Sequence, residues 1–178
     1  NEIVVSESED WKPFTSAFID ESFLIGYLTP EEYFYFIGEL RGQNKADVDA
    51  LTAQFEDFFH GEILNQKKYL RDLSKGNQKK VGIVAALIGN PEVIVLDEPF
   101  ANLDPTTQIR LEKLLKEQKK TGIVILAGMP LLAGNRLFNC AVALQGGQIR
   151  AAWPREWGVG GHRGAPTTPP RACRDSGW

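Results

Sequence analysis

The sequence contains few of the features that mark disulfide-bonded, metal-bound or membrane-spanning proteins. Its 178 residues include two cysteines, Cys140 and Cys173, which show no metal or disulfide spacing, so a reducing compartment is expected. No apolar run approaches the length of about 20 residues that a membrane-spanning helix needs. No signal peptide and no methionine open the chain, which suggests that it begins inside a longer sequence.

An excess of charge of one sign is also absent. The formal net charge is −3 and 43% of the residues are hydrophobic, which is ordinary for a soluble globular protein. This balance gives no reason to expect a nucleic-acid partner. The length is sufficient for one domain with a hydrophobic core.

The composition changes near Lys120. All eleven lysines lie at or before this position, and six arginines but no lysine follow it. Residues 151–178 are rich in glycine, proline and tryptophan and show no helical or strand period, which predicts an irregular tail. Two origins remain open for it: a natural flexible tail, or an out-of-frame reading of GC-rich DNA.

Helix signals dominate the first half of the chain, after a possible strand at residues 2–5. Thr29, Pro30 and Glu32 form the capping-box pattern of a helix start, and Gly42 is placed to end that helix. A second helix is predicted after it. The side chains expected to face the core are Tyr33, Phe36, Ile37 and Leu40 in the first helix and Val48, Leu51, Phe55 and Phe58 in the second.

Helices and strands alternate in the second half, which predicts an α/β fold with a parallel sheet. Apolar strands are predicted at residues 93–96 and 123–126, and a hairpin turn at residues 145–148. One helix is predicted from near Asn77 until Gly89 and Pro91, and another from Asp104 until Gly122. Their expected core residues are Val81, Val84, Ala85 and Ile88 in the former and Ile109, Leu114 and Leu115 in the latter.

Two adjacent carboxylates, Asp97 and Glu98, follow the predicted strand at residues 93–96. Ligands of open α/β sheets bind at the carboxyl ends of strands. There, an Asp can hold Mg²⁺ on nucleotide phosphates and a following Glu can act as general base on water. The alternative is a pair of solvated acids that open a turn, with Pro99 directing the exit.

A second candidate site is the sequence LSKGN, residues 73–77. A helix N-terminus with the Ser74 hydroxyl, Lys75 and a closely approachable Gly76 suits an anion, although Ser74 taken alone is better explained as a plain helix cap. Asp104 likewise fits a helix cap, and a functional role is compatible with capping.

The run of residues 73–104 resembles the nucleotide-binding domain of ABC transporters. LSKGN is similar to that family's signature LSGGQ, VIVLDEP to its Walker B motif with the catalytic Glu, and ANLD to its D-loop, all at the family's spacing. The preceding sequence AFIDESFLIGYLTPEEYFYFIGELRG resembles the Q-loop and the start of the helical subdomain, with Asp20 where the Q-loop Gln is expected. The resemblance extends from residue 1 to about 126.

The resemblance implies an incomplete P-loop NTPase core of the ABC type with an inserted helical subdomain. Residues 1–24 and 77–150 would form the partial α/β core, 25–76 the helical subdomain and 151–178 the tail. Asp97 would coordinate Mg²⁺, Glu98 would be the general base, and Asp20 would reach Mg²⁺ or a water. Ser74, Lys75 and Gly76 would contact the γ-phosphate of ATP on a partner subunit, and Asp104 would couple the two sites.

The same resemblance implies particular partners and a location. A second ATPase subunit would form a head-to-tail dimer with this chain, and a transmembrane permease subunit would hold it on the inner, cytoplasmic face of the plasma membrane. No nucleic acid is expected. The transported substrate and the direction of transport are not specified by these motifs.

Two family motifs are missing from the 178 residues. No GxxxxGK[ST] loop is present, which suggests that the chain starts just after it. No histidine stands near Met129 and Pro130, where the family places its switch His, and His60 and His162 are expected at the surface. We therefore expect this chain to be inactive alone. The alternative is a non-catalytic interaction module that lends its signature motif to a partner ATPase.

Overall fold

In the computed structural model, which describes residues 6–117, 124–133, 136–145 and 148–154, the backbone forms one five-stranded sheet flanked by helices. The strands are β1 (Thr15–Phe18), β2 (Val93–Leu96), β3 (Val124–Ala133), β4 (Arg136–Gln145) and β5 (Gln148–Pro154). The helices are α1 (Pro30–Leu40), α2 (Lys45–Ala53), α3 (Glu56–Phe59), α4 (Lys75–Ala85) and α5 (Pro105–Glu117), with 3₁₀ turns at Lys12–Phe14, Glu21–Phe23 and Leu70–Asp72.

The sheet confirms the predicted α/β class. Strands β1, β2 and β3 are parallel neighbours, with Phe18 opposite Leu96 and Leu96 opposite Ala127. Strands β4 and β5 continue the sheet in antiparallel pairing. Because the carboxyl ends of β1 and β2 meet at one edge, the chain leaves both strands toward the same side of the sheet.

Strand β1 and the end of β5 differ from the sequence prediction. The strand at Thr15–Phe18 was not predicted, and the one expected at residues 2–5 lies outside the described residues. The predicted hairpin is confirmed, since Gln145 pairs with Gln148 across β4 and β5. The tail prediction is wrong for residues 151–154, which belong to β5 because Ala151 and Ala152 pair with apolar residues of β4.

Helix α1 begins as predicted but turns a different face inward. Thr29 and Glu32 form the capping box, and Gly42 follows the helix at φ +70°. The predicted core stripe is wrong at Phe36 and Leu40, which are exposed, whereas Phe34 and Gly38 are buried. Gly38 sets this rotation, because a Cβ at this position would lie 2.3 Å from Cγ2 of Val48 in α2.

The predicted second helix is two short helices. Asn44 and Asp47 form a capping box at the start of α2, and a turn at Gln54 and Phe55 separates α2 from α3. The predicted core side chains Val48, Phe55 and Phe58 are buried and Leu51 is half-buried. Phe59 is fully buried beside Phe34, with ring centroids 6.0 Å apart.

Helix α4 is the centre of the molecule. It begins at Lys75, two residues before the predicted Asn77, because Ser74 caps it. Every residue from Gln78 to Ile88 is buried, so the predicted core side chains are confirmed. Gly82 makes this possible, since its bare backbone faces the ring of Phe18 in β1. The predicted end at Gly89 and Pro91 is wrong, because α4 ends at Ala85 and Ile88 lies in the turn that follows.

Helix α5 starts at Pro105 as predicted. Its predicted core residues Leu114 and Leu115 are buried, but the prediction for Ile109 is wrong, because this side chain is 67% exposed. The inward face instead runs through Thr107 and Leu111, which are one helical turn apart. Gly122 lies outside the described residues.

Candidate functional site

The two adjacent acids stand at the carboxyl end of β2, where the sequence placed them. The backbone N–H of Asp97 donates to the carbonyl oxygen of Phe18 across 3.2 Å, which extends the pairing of β1 and β2 by one residue. The Asp97 side chain is half-buried and its Oδ1 is enclosed, whereas Glu98 is exposed. The two carboxylates therefore occupy different environments, one against the protein and one toward solvent.

The backbone of Glu98 adopts a left-handed conformation, with φ at +42°. Such a conformation costs a non-glycine residue of order 1 kcal/mol and persists only where the surroundings hold it. A tight turn closes directly after it, because the N–H of Ala101 donates to the carbonyl of Glu98 across 3.1 Å. The direction of the Glu98 side chain thus depends on the contacts of this turn.

The LSKGN segment forms the N-terminus of α4. Oγ of Ser74 accepts from the N–H of Asn77 at 3.2 Å, and the side chains of Ser74 and Lys75 are exposed. A Cβ on Gly76 would lie 3.8 Å from the carbonyl oxygen of Asn102 and 3.9 Å from Cδ2 of Leu103. The start of α4 therefore lies beside the turn that follows Glu98.

Asp104 caps α5. Its Oδ1 accepts from the N–H of Thr107 at 3.0 Å and its Oδ2 accepts from Oγ1 of Thr107 at 2.5 Å. The hydrogen bond from the Thr107 hydroxyl, followed by the backbone bond, lowers the pKa of Asp104 below its ordinary value. The carboxylate is therefore anionic at neutral pH and fixed at the end of the ANLD segment.

Asp20 leaves β1 on the same edge of the sheet. It caps the 3₁₀ turn Glu21–Phe23 by accepting from the N–H of Ser22 at 2.8 Å. The bonds from Ser22 lower the pKa of Asp20, and the positive charge of Lys75 contributes in the same direction. The structure thus brings Asp20 within electrostatic reach of the LSKGN segment.

Lys79 is the site residue that the sequence analysis missed. Its Nζ donates to the carbonyl oxygens of Glu98 and Ala101 at 3.1 and 3.0 Å. The same ammonium lies 3.7 Å from Oε1 of Glu21. The available signal was the pair Lys79–Lys80 directly before the apolar residues 81–88, although the sequence alone does not show what either lysine contacts.

Comparison with known proteins identifies the family. The sequence profile of the ABC transporter family matches residues 3–101 of the 178. The chain belongs to the ABC transporter family. Within that family it is a nucleotide-binding domain, as the matched relatives are ATP-binding proteins.

Three relatives show how much of an ABC protein this chain represents. Uncharacterized ABC transporter ATP-binding proteins of Alkalihalophilus pseudofirmus and Methanocaldococcus jannaschii are 33% identical over 113 residues and 31% identical over 147 residues. These matches cover 58% and 75% of this chain and 42% and 55% of the relatives. ATP-binding cassette sub-family A member 9 of Homo sapiens is 26% identical over 167 residues, 89% of this chain and 10% of that protein. The chain thus spans about half or less of the length of these relatives.

The donor set at the sheet edge suits the Mg²⁺ of an ABC ATPase. Mg²⁺ takes one or two carboxylates and completes its octahedron with phosphate oxygens and water. Asp97, half-buried at the end of β2, would supply one such carboxylate. No cluster of three or more His, Cys, Asp or Glu side chains that could hold a metal occurs in the described part of the chain.

The charges around α4 suit a phosphate. Backbone N–H groups at a helix N-terminus favour an anion, and the exposed Lys75 adds a cation at the same place.

His60 is exposed, as predicted, and follows α3 at φ +58°; His162 lies outside the described residues. None of the helices in the described ranges has both the length and the apolar character needed to cross a membrane.

Proposed function

We propose that this chain is an ATP-binding and ATP-hydrolysing subunit of an ABC transporter, in which ATP hydrolysis drives transmembrane transport. One observation carries the proposal. The turn after Asp97 and Glu98 lies against the N-terminal part of α4, so the acids and the LSKGN segment belong to one contiguous surface. The reaction, ATP hydrolysis, is proposed because the chain belongs to the ABC transporter family.

In this proposal the strand-end acids divide the work. Asp97 holds Mg²⁺, which when bound neutralises charge that develops on the phosphates. Glu98 accepts a proton from the attacking water, because its carboxylate is the exposed one. Asp20 orients Mg²⁺ or that water from the neighbouring strand end.

The LSKGN segment acts on a second nucleotide. Ser74, Lys75 and Gly76 contact the γ-phosphate of ATP bound to a partner subunit, so that two subunits pair head to tail. Ser74 Oγ already accepts one bond from Asn77, which leaves its hydroxyl proton to donate to a phosphate oxygen. Asp104, whose carboxylate is fixed by Thr107, couples the two ATP sites across the boundary between the subunits.

An exposed apolar segment supports docking to a permease subunit. Phe23 and Tyr27 are 73% and 72% exposed, with Ile19 and Ile25 between and beside them. The 3₁₀ turn Leu70–Asp72 lies next to this segment, because Leu70 and Arg71 donate backbone bonds to Leu28 and Gly26. Apolar surface of this kind marks interaction sites. A permease would place the chain at the inner membrane face, in contact with the cytoplasm.

The test is ATP turnover with and without a partner. The 178 residues contain no GxxxxGK[ST] loop to cradle the β- and γ-phosphates, so we expect no turnover by this chain alone. Turnover should appear on adding an ABC ATPase subunit that carries that loop. A partner with its own signature serine substituted isolates the contribution of Ser74, and turnover by this chain alone would contradict the proposal.

A second candidate is a non-catalytic module that lends its signature segment to a partner ATPase. The exposed Ser74 and Lys75 at the start of α4 favour it, because they can meet a partner's phosphate without a nucleotide bound to this chain. The two candidates differ at Glu98. The discriminating assembly uses a partner whose own catalytic Glu is replaced by Gln. Turnover that Glu98→Gln abolishes supports hydrolysis by this chain. If that assembly is inactive, while turnover with the unmodified partner is lowered by Ser74→Ala, the interaction module is the correct function.

A further inference from the structure

The ammonium group of Lys79 joins three segments of the candidate site. Lys79 lies one turn inside α4, and its side chain is 8% exposed. Nζ donates to the carbonyls of Glu98 and Ala101, on the turn after β2, and pairs with the 14% exposed carboxylate of Glu21, on the turn after β1. Helix α4 and both strand ends therefore meet at one buried cation.

The acceptors match what a buried ammonium requires. A lysine ammonium has three donors and no acceptor, and burying it is unfavourable unless those donors are used. The carbonyl oxygens of Glu98 and Ala101 accept from Nζ at 3.1 and 3.0 Å, and the Glu21 carboxylate forms an ion pair with it at 3.7 Å, beyond hydrogen-bond distance. Two of the donors and the positive charge therefore have partners within the protein.

The two carbonyls that accept from Lys79 belong to Glu98 and Ala101, the first and last residues of the turn that contains the proposed general base Glu98. The carbonyl of Glu98 accepts from both Nζ of Lys79 and the N–H of Ala101, and Glu98 itself has φ at +42°. Gln108 holds the same turn at a different point, since its Nε2 donates to the carbonyl oxygen of Phe100 at 3.3 Å. Lys79 is the side chain that bonds the carbonyl of Glu98 itself, so its loss would leave that carbonyl with only the backbone bond from Ala101.

We propose that Lys79 is a positioning residue: it holds the backbone of Glu98 so that the Glu98 carboxylate keeps one direction, and Glu21 anchors the ammonium from the neighbouring strand end. The inference rests on the proposed function of Glu98 and adds a residue to it. Lys79 touches no substrate in this scheme. It acts through the turn.

The test compares four variants of the full 178-residue chain. Lys79→Met keeps the aliphatic stem and removes the three donors, and Lys79→Arg restores a cation that can reach both carbonyls. Glu21→Gln weakens the anchor while leaving Lys79 intact. Lys68→Met is the matched control, since Lys68 is an exposed lysine outside the site.

The first readout does not depend on activity. Carbonyl ¹³C resonances of Glu98 and Ala101 report the two hydrogen bonds directly in NMR spectra. We expect both to shift in Lys79→Met, to shift less in Glu21→Gln, to return toward wild type in Lys79→Arg and to stay unchanged in Lys68→Met. Unchanged carbonyl resonances in Lys79→Met would overturn the proposal. If Lys79→Met does not fold, the carbonyl resonances of Glu21→Gln provide the test, because this variant leaves the lysine in place. Unchanged resonances in Glu21→Gln would then overturn the proposal.

The second readout separates positioning from a merely structural role. The mixed assembly for this readout uses a partner ATPase whose own catalytic Glu is replaced by Gln, so that Glu98 is the general base under test. In it, Lys79→Met should lower kcat about 10- to 100-fold, since a misplacement of about 1 Å can cost that much, with the KM for ATP unchanged. Lys79→Arg should recover most of kcat. An unchanged kcat in Lys79→Met, in an assembly that Glu98→Gln inactivates, would refute the positioning role. If the wild-type assembly shows no turnover, the proposed function is refuted instead. The carbonyl resonances would then still test whether Lys79 holds the backbone of Glu98.

Discussion

Replacing Gly82 by alanine tests how closely α4 packs on the strand that leads into the candidate site. A Cβ at position 82 would lie 2.1, 2.3 and 2.6 Å from three ring atoms of Phe18. Ordinary carbon contacts lie at about 3.5 Å, so the ring or the helix must move by about 1 Å. Phe18 is 5% exposed and has no solvent to move into.

The size of the effect follows from two opposing terms. Overpacking a filled core costs about 1 to 3 kcal/mol, and the enclosed ring places Gly82→Ala near the upper end. Alanine is favoured over glycine in a helix by about 1 kcal/mol, which acts in the opposite direction. We expect a net loss of about 2 kcal/mol in the free energy of unfolding.

Urea unfolding followed by far-UV circular dichroism measures this loss. Gly76→Ala is the matched control in the same helix, because its Cβ would meet nothing closer than 3.8 Å. That variant should be neutral or slightly stabilised. Phe18→Leu should relieve part of the penalty when combined with Gly82→Ala, as expected for residues in contact. An unfolding free energy for Gly82→Ala equal to or above that of wild type would refute the reasoning.

Three further predictions concern charge and capping. The hydrogen bond to Asp49, with partial burial, raises the pKa of Tyr35 to about 12, so the neutral phenol stabilises the fold fully below about pH 10 and progressively less as pH rises through 12; Tyr35→Phe should remove this dependence, and Asp49→Asn should lower the pKa read from tyrosinate absorbance. The bonds from Thr107 lower the pKa of Asp104, so its stabilisation is present above about pH 4 and lost on further acidification; Asp104→Asn should keep the helix cap at pH 7 and flatten the acid limb of a stability profile. Thr29→Ala removes half of the capping box of α1 and should cost about 1 kcal/mol in urea unfolding, whereas Thr29→Ser should cost little.

The sequence was sufficient where structure is set by local chemistry. Caps at Thr29, Ser74 and Asp104 could be recognised because each depends on a side chain and the N–H groups within one turn. The apolar strand at Val93–Leu96 was equally plain, since a strand covered on both faces has no polar alternation. These elements place Asp97 and Glu98 at the edge of the sheet without any knowledge of tertiary contacts.

Sequence periodicity failed where apolar residues surround a helix. In α1 the run YFYFI offers a large side chain in nearly every direction, so the pattern does not select a face. The face is selected by Gly38, whose missing side chain admits Val48 from α2. In α5 the buried Thr107 takes an inward position that hydrophobicity assigned to Ile109. Close approach and capping thus decide orientations that amphipathicity leaves open.

Lys79 shows why a candidate site is harder to predict than its motifs. The LSKGN segment and the pair Asp97–Glu98 are each a short unbroken stretch of sequence, and their residue types indicate their chemistry. The role of Lys79 exists only because the turn after β2 places two carbonyls beside α4 and the turn after β1 brings a carboxylate to the same point. A buried lysine in an apolar helix requires partners from elsewhere in the fold. A buried cation therefore marks a point where segments distant in sequence meet.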